Sequence, residues 1–126
     1  MLLVKTIVKQ SPIHGLGLFA NQNISKGDMI WKFSDGLDLE ISPVEFSNLS
    51  SYEKGMINFY GFHSKKTGNY HLSFDDVRFV NHSPEGNITI DKSIDDIEYP
   101  LVAKRDISKG EEITQNYYEF DESHSL

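Results

Sequence analysis

The sequence predicts a mainly β protein of one domain, built from several small sheets with one or two short helices. Three observations carry this. The chain has 126 residues, enough for one domain that buries roughly two thirds of its unfolded surface. Much of its modest apolar share is aromatic or β-branched, which suits strands better than long helices. The third is an internal repeat, Ala20-Asn21-Gln22-Asn23-Ile24-Ser25-Lys26-Gly27-Asp28-Met29-Ile30 against Ala103-Lys104-Arg105-Asp106-Ile107-Ser108-Lys109-Gly110-Glu111-Glu112-Ile113. Each copy reads as a strand end, a turn in which Gly supplies the unusual φ, and a new strand. Two copies are too few for a solenoid. A pair of similar corners, one near each terminus, instead frames a compact all-β body.

The elements follow in order. Leu2 to Lys9 reads as a strand ended by Gln10-Ser11-Pro12, and the chain resumes as strand at Leu18-Phe19-Ala20 after His14-Gly15-Leu16-Gly17. Met29 to Phe33, with the only tryptophan, follows the first corner. Ser42 as N-cap, Pro43 at N1 and Glu45 at N3 predict a short helix that ends near Leu49-Ser50-Ser51. Met56 to His63 is aromatic-rich and reads as a strand, and Lys65 to Asn69 is a hairpin loop into a strand over Tyr70 to Phe74. Asp75-Asp76 can cap a short helical turn. Asn87 to Ile90 is a strand, Asp91 to Asp96 an acidic loop, Tyr99 to Lys104 a strand into the second corner, and Ile113 to Tyr117 the last strand. The domain core is expected over about residues 5–120, with a polar, frayed tail over 121–126.

Composition narrows the function. There is no cysteine, which excludes disulfides and Cys-based metal sites and allows an intracellular setting. No apolar run approaches the ~20 residues of a membrane span, and the N-terminus lacks the features of a signal peptide. The formal net charge is −7. That argues against nucleic-acid binding, which favours a basic surface, and for attraction of basic peptides; solubility alone is a sufficient reason for such acidity. The five histidines show no metal-ligand spacing, and no serine-hydrolase elbow is present.

Three stretches carry the chemistry. His14-Gly15-Leu16-Gly17 sets two glycines around one residue, where a missing Cβ lets backbone approach a ligand, although a plain tight turn uses the same pattern. Arg78-Phe79-Val80-Asn81-His82-Ser83 mixes apolar residues with hydrogen-bonding groups between turn signals. Gly110-Glu111-Glu112-Ile113-Thr114 leads through Gln115-Asn116 to Tyr117. In order, and over about residues 5 to 120, they resemble the three signatures of the SET-domain family of protein-lysine methyltransferases. The length resembles that of the short stand-alone viral and bacterial members.

The resemblance implies a SET, β-clip-like fold with a C-terminal pseudoknot, and S-adenosylmethionine as cofactor with no metal. It implies that Gly15, Leu16 and Gly17 offer backbone groups to the methionine end of the cofactor. Asn81 and His82 would hold its amine and adenine, with His14 and Arg78 at the edges of these stretches, and Phe120 would cover the adenine or the channel mouth. Tyr117 would be the catalytic tyrosine, and Tyr60, on an expected aromatic strand Asn58 to Phe62, the second tyrosine of the lysine channel. The expected substrate is a lysine in a basic, histone-like protein. Pro84 stands where many members have a zinc-binding Cys, so the channel would be closed by the tail or by a second copy in a homodimer. Gln115 stands where an aromatic often tunes the number of methyl groups added. A non-catalytic module on the same fold, holding cofactor or a basic peptide without turnover, is the alternative.

Overall fold

The computed structural model describes residues 1–124. Strand β1 (Thr6–Gln10) turns back on β2 (Leu16–Ala20), in antiparallel register from Thr6 opposite Ala20 to Gln10 opposite Leu16. Then come β3 (Met29–Trp31), β4 (Leu39–Ile41), α1 (Pro43–Ser47), α2 (Ser51–Tyr60), β5 (Phe62–His63) and β6 (Tyr70–Leu72). A 3₁₀ turn over Asp76–Phe79 leads to β7 (Asn81–His82), β8 (Ile88–Ile90), β9 (Leu101–Ala103) and β10 (Glu112–Gln115). Two further 3₁₀ turns, Tyr117–Glu119 and Glu122–His124, follow.

Among the described residues these strands form two sheets. In the larger the order is β1-β2-β10-β8-β9-β3, with β7 also paired to β10, and in the smaller it is β4-β6-β5. The mainly β, small-sheet architecture expected from the sequence is therefore the one observed. The last strand lies in the middle of its sheet. β10 is antiparallel to β2, through Glu112 opposite Phe19, and parallel to β7, through Thr114 opposite Asn81. This insertion draws the N-terminal glycine stretch, the Asn-His stretch and the C-terminal tyrosine into one region.

The repeated corners pack against each other about a local pseudo-twofold. Ile24 and Ile107 form an antiparallel bridge, each donating its N–H to the other's carbonyl at 2.8 Å. The Gly27 N–H bonds to the Ala103 carbonyl at 2.8 Å, and its counterpart Gly110 bonds to the Ala20 carbonyl at 2.7 Å. Lys26 N–H bonds to the Asp106 carboxylate, and Lys109 N–H to the Asn23 side-chain oxygen. Both glycines have positive φ, 89° and 93°, which a side chain would disfavour. Ile24 and Ile107 are buried with Leu18, Ile30, Trp31, Ile88 and Ile113 in the main core.

Two expectations are corrected. Met56 to Tyr60 is helix, not strand, so Tyr60 ends α2 instead of lying in an aromatic strand. The cause is a second capping box. Glu53 N–H donates to Ser50 Oγ at 3.2 Å and Ser50 N–H to Glu53 Oε1 at 2.9 Å, repeating the Ser42–Glu45 box that starts α1. The aromatic content misleads because Phe59 and Met56 face solvent and only Ile57 is buried. The tail is also not frayed where it is described. Asp121 is buried, bridges to Ser64, and accepts from the His63 N–H at 3.1 Å. Ser125 and Leu126 of the expected tail lie outside the described residues.

Candidate active site

A cleft of about 520 Å³ opens between the two sheets, within the size range of small-molecule sites. His14, Gly15 and Leu16 wall it, as do Arg78 and Asn81, Tyr60 at the end of α2, and Tyr117 and Phe120 beyond β10. Gly17 and His82 are not on the wall.

The two glycines have different tasks. Gly15 has φ +46° with open space where a Cβ would stand, so its backbone turn is what calls for glycine. Gly17 is extended, and a Cβ there would meet the Glu112 carboxylate at 2.5 Å and Ser11 Cβ at 3.0 Å. Its missing side chain thus admits Glu112 from β10, not a ligand.

Glu112 is the hub of a half-buried clamp. It accepts from Ser11 Oγ at 2.8 Å and from Asn81 Nδ2 at 3.0 Å. The same Asn81 amide donates to the carbonyls of His14, at 3.1 Å, and Leu16, at 3.2 Å. Asn81 therefore acts through its side chain on the first stretch, pinning the loop that lines the cleft. Asn87, fully buried, fixes β10 in turn: its amide donates to the Glu112 carbonyl at 2.8 Å and its oxygen accepts from Thr114 N–H at 2.9 Å.

Asn116 ends β10 by capping the next turn, accepting from Tyr118 N–H at 3.0 Å. The Tyr117 N–H donates to His82 Nδ1 at 3.0 Å, and its ring packs on His82 and Phe120, with centroids 5.2 and 5.7 Å away. Its hydroxyl donates to the Val80 carbonyl. Burial, with the Asp121 carboxylate second, pushes the phenol up to about 12. It is a permanent hydrogen-bond donor at neutral pH and a poor base. The Tyr60 ring sits 5.3 Å from the Arg78 guanidinium, a cation–π distance, and meets Phe79 edge-on.

Two other wall residues, Trp31 and Glu98, were not foreseen as site residues, and Gln115 was singled out only as the replacement of an aromatic. Trp31 Nε1 and Gln115 Nε2 are buried without hydrogen-bond partners, and both residues line the cleft. A polar group left dry in this way is costly. Glu98, 4% exposed, is also on the wall, and burial raises its carboxyl to about 7. Its position after an acidic loop gave no sequence signal.

A two-sheet β body with a C-terminal strand inserted at its centre, and a tyrosine-walled cleft beside an Asn-His strand, defines a small cleft-bearing β domain. The description of the SET domain family matches residues 15–118, and the chain belongs to the SET-domain family. Over 120 residues it is 32% identical to a histone-lysine N-methyltransferase, H3 lysine-36 specific, of Debaryomyces hansenii, covering 87% of this chain. Over 123 residues it is 32% identical to the histone-lysine N-methyltransferase trr of Drosophila melanogaster, covering 93% of this chain. The chain spans only 16% and 5% of these two relatives. Its fold is similar to that of a candidate histone methyltransferase of Plasmodium falciparum, with TM-score 0.66 and 18% identity, over 92% of this chain and 95% of that one. It is also similar to Chaetomium thermophilum Polycomb Repressive Complex 2 bound to GSK126, with TM-score 0.68 and 24% identity, over 94% of this chain and 16% of that one.

Proposed function

We propose that the chain is an S-adenosylmethionine-dependent protein-lysine N-methyltransferase. The observation that carries this is the convergence, in one cleft, of Gly15 and Leu16, Asn81 and Tyr117, from three distant stretches cross-linked by side-chain bonds. Bound S-adenosylmethionine supplies an electrophilic methyl group on a sulfonium. The positive-φ turn at Gly15 and the polar wall residues Arg78 and Asn81 suit a polar ligand of this kind. His14, Gly15 and Leu16, Arg78 and Asn81 would hold it, with Phe120 over one side.

The chain's own residues then have to present a neutral amine. Lysine in water has a pKa of about 10.4, and an apolar channel walled by Tyr60, Phe62, Tyr117 and Phe120 disfavours the ammonium by desolvation. Holding the amine in line is itself a large part of the rate. Tyr117, protonated and fixed at both its amide and its hydroxyl, orients and polarises. The formal charge of −7 draws a basic, histone-like peptide, and no role is assigned to nucleic acid or membrane. Phe120 and the tail residue Asp121 wall the cleft, which favours closure within one chain over a homodimer. The reading carries an intracellular setting.

Incubation of the protein and its Tyr117→Phe variant with S-adenosylmethionine and lysine-rich proteins tests this by mass spectrometry. Methylated lysines are expected with the parent and on the order of a hundredfold fewer with the variant. Cofactor binding without any methylated product would favour the non-catalytic module instead.

A further inference from the structure

Behind the cleft wall lies a line of titratable groups that the reaction above does not use. Glu40 and His71 are direct cross-strand partners on β4 and β6. His71 Nε2 is 2.8 Å from Glu40 Oε2, and His71 Nδ1 is 3.3 Å from Glu98 Oε1. Neither His71 Nδ1 nor Glu98 Oε1 has a hydrogen-bond partner, their own approach being close enough for an ion pair but not aligned as a hydrogen bond. The line has an inner and an outer end. The Glu98 and His71 side chains are 5% and 2% exposed, whereas that of Glu40 is 39% exposed. Phe33 and Phe62 pack on the imidazole with centroids 5.4 and 5.5 Å away, so its flanks are apolar and only its two nitrogens lead onward.

We propose that Glu98, His71 and Glu40 form a proton exit, which takes the proton released by the substrate ammonium in the cleft and delivers it to solvent. The inference rests on the lysine-methyltransferase reading. The ammonium N–H bond breaks, its electron pair stays on nitrogen, and the proton is taken up by the Glu98 carboxylate. A small turn of the carboxyl aligns Glu98 with His71 Nδ1 and passes the proton on. His71 releases the one on Nε2 to Glu40, which gives it to water, and a flip of the imidazole restores the Nε2–H form for the next turnover. One proton enters at Glu98 and one leaves at Glu40, with no oxidant or second reactant. Glu98 is the catalytic residue of the three, and His71 and Glu40 act through it.

The electrostatics suit the task. A carboxylate of ordinary acidity is too weak a base for an ammonium at neutral pH, whereas a group that titrates near the working pH is well placed for transfer. Burial raises Glu98 to about 7, against the Ser64 hydroxyl, the Lys66 ammonium and the Tyr99 amide, which lower it, while Glu40 adds to the rise. Burial lowers His71, opposed by Glu40 and Asp38, so its resting form is the neutral ring with a free nitrogen lone pair. Thr67 Oγ1, 3.4 Å from Nε2, is the remaining polar neighbour of that nitrogen. A merely structural polar knot would need the same contacts, but not an end on the cleft wall.

The test compares the pH dependence of kcat/KM for the parent and Glu98→Gln, which keeps size and hydrogen bonding. At pH 7 to 8 the variant is expected to lose on the order of a hundredfold. The gap should narrow as pH approaches the amine's own pKa, and should be smaller for a peptide carrying the more acidic aminoethylcysteine in place of lysine. Parallel profiles, or an equal loss with both amines, would overturn the exit. Infrared titration of the parent's carboxyl band is independent of turnover. A band near pH 7 that vanishes in Glu98→Gln is expected, and its absence overturns the exit even where lysine methylation stands. A parent that methylates no lysine while showing that band overturns the functional reading, and the exit with it.

Discussion

The backbone N–H of Tyr117 donates to Nδ1 of His82 at 3.0 Å, so the tyrosine's place in the cleft is set by an imidazole that does not itself line the cleft. His82 sits on β7, which runs parallel to β10 with Gln115 opposite His82. Its ring also packs on Tyr118. The Asn-His pair thus divides its work: Asn81 holds the N-terminal loop and His82 holds the C-terminal turn.

His82→Ala leaves the Tyr117 amide without this acceptor, at a cost of about 1–3 kcal/mol for a group removed from water. Turnover is expected to fall on the order of a hundredfold through misplacement of the hydroxyl. Cofactor affinity should change much less. Single-turnover kinetics beside calorimetric binding separate the two, and a loss confined to binding would contradict this placement.

Asn81→Ala should show the reverse pattern. It removes one donor group from three acceptors and leaves the Glu112 carboxylate held by Ser11 alone. Cofactor binding is expected to weaken at least about tenfold, corresponding to roughly 1.4 kcal/mol. Backbone hydrogen exchange over His14 to Leu16 should quicken at the same time. Unchanged exchange there would refute the clamp.

The two glycines of the first stretch should respond unequally to alanine. Gly15→Ala meets no atom but is strained at φ +46°, an expected cost of about 1–2 kcal/mol. Gly17→Ala drives a methyl into the Glu112 carboxylate and so strains the clamp as well. It is expected to be the more damaging to cofactor binding. Denaturant melts and binding isotherms of both variants decide the order.

At the paired corners, Ile24→Ala and Ile107→Ala each empty a buried site, and about 2–5 kcal/mol is expected for either. Because the two residues bridge each other, the double variant should fall short of the sum by at least about 0.5 kcal/mol. Additive losses would mean that the corners are energetically independent.

Glu98 also leaves a mark on stability against pH. Its carboxyl is raised from 4.5 to about 7, so the folded protein binds more protons than the unfolded chain between those values. Its contribution therefore declines as pH rises through that window and is lost above it. The upper bound is about 3 kcal/mol. His71, lowered by burial, has the opposite sign, with stability lost as pH falls below its ordinary 6.5. In Glu98→Gln the decline between pH 4.5 and 7 should vanish in melts across that range.

Where local chemistry decided the conformation, it was legible in the sequence. The Ser42–Glu45 box, the Asp75 cap, and the Gly27 and Gly110 corners all rest on interactions within four residues or on a glycine's φ. The Ser50–Glu53 box was equally local, but the aromatic run after it outweighed it, since a row of aromatics looks alike on a strand or an exposed helix face. The Glu112 partner of Gly17, the His14 and Leu16 partners of Asn81 and the His63 partner of Asp121 were hidden because each lies more than 50 residues away along the chain. The Tyr117 to Asn81 neighbourhood was reached through family likeness, not spacing. Glu98 and Trp31 carried no sign, because what marks them is burial beside a cleft.

The central place of β10 also governs how the molecule can be made. On a ribosome, β2, β7 and β8 emerge before the strand that joins them, so the larger sheet stays divided until residues 112–115 are free of the exit tunnel. Its hydrogen bonds close over long sequence separations, which slows folding. Until then the inner edges of β2 and β8 lack their β10 partner, a hazard for misassembly. The nascent protein should accordingly gain protease resistance late and in one step, and should depend on chaperones that shield strand edges up to that moment.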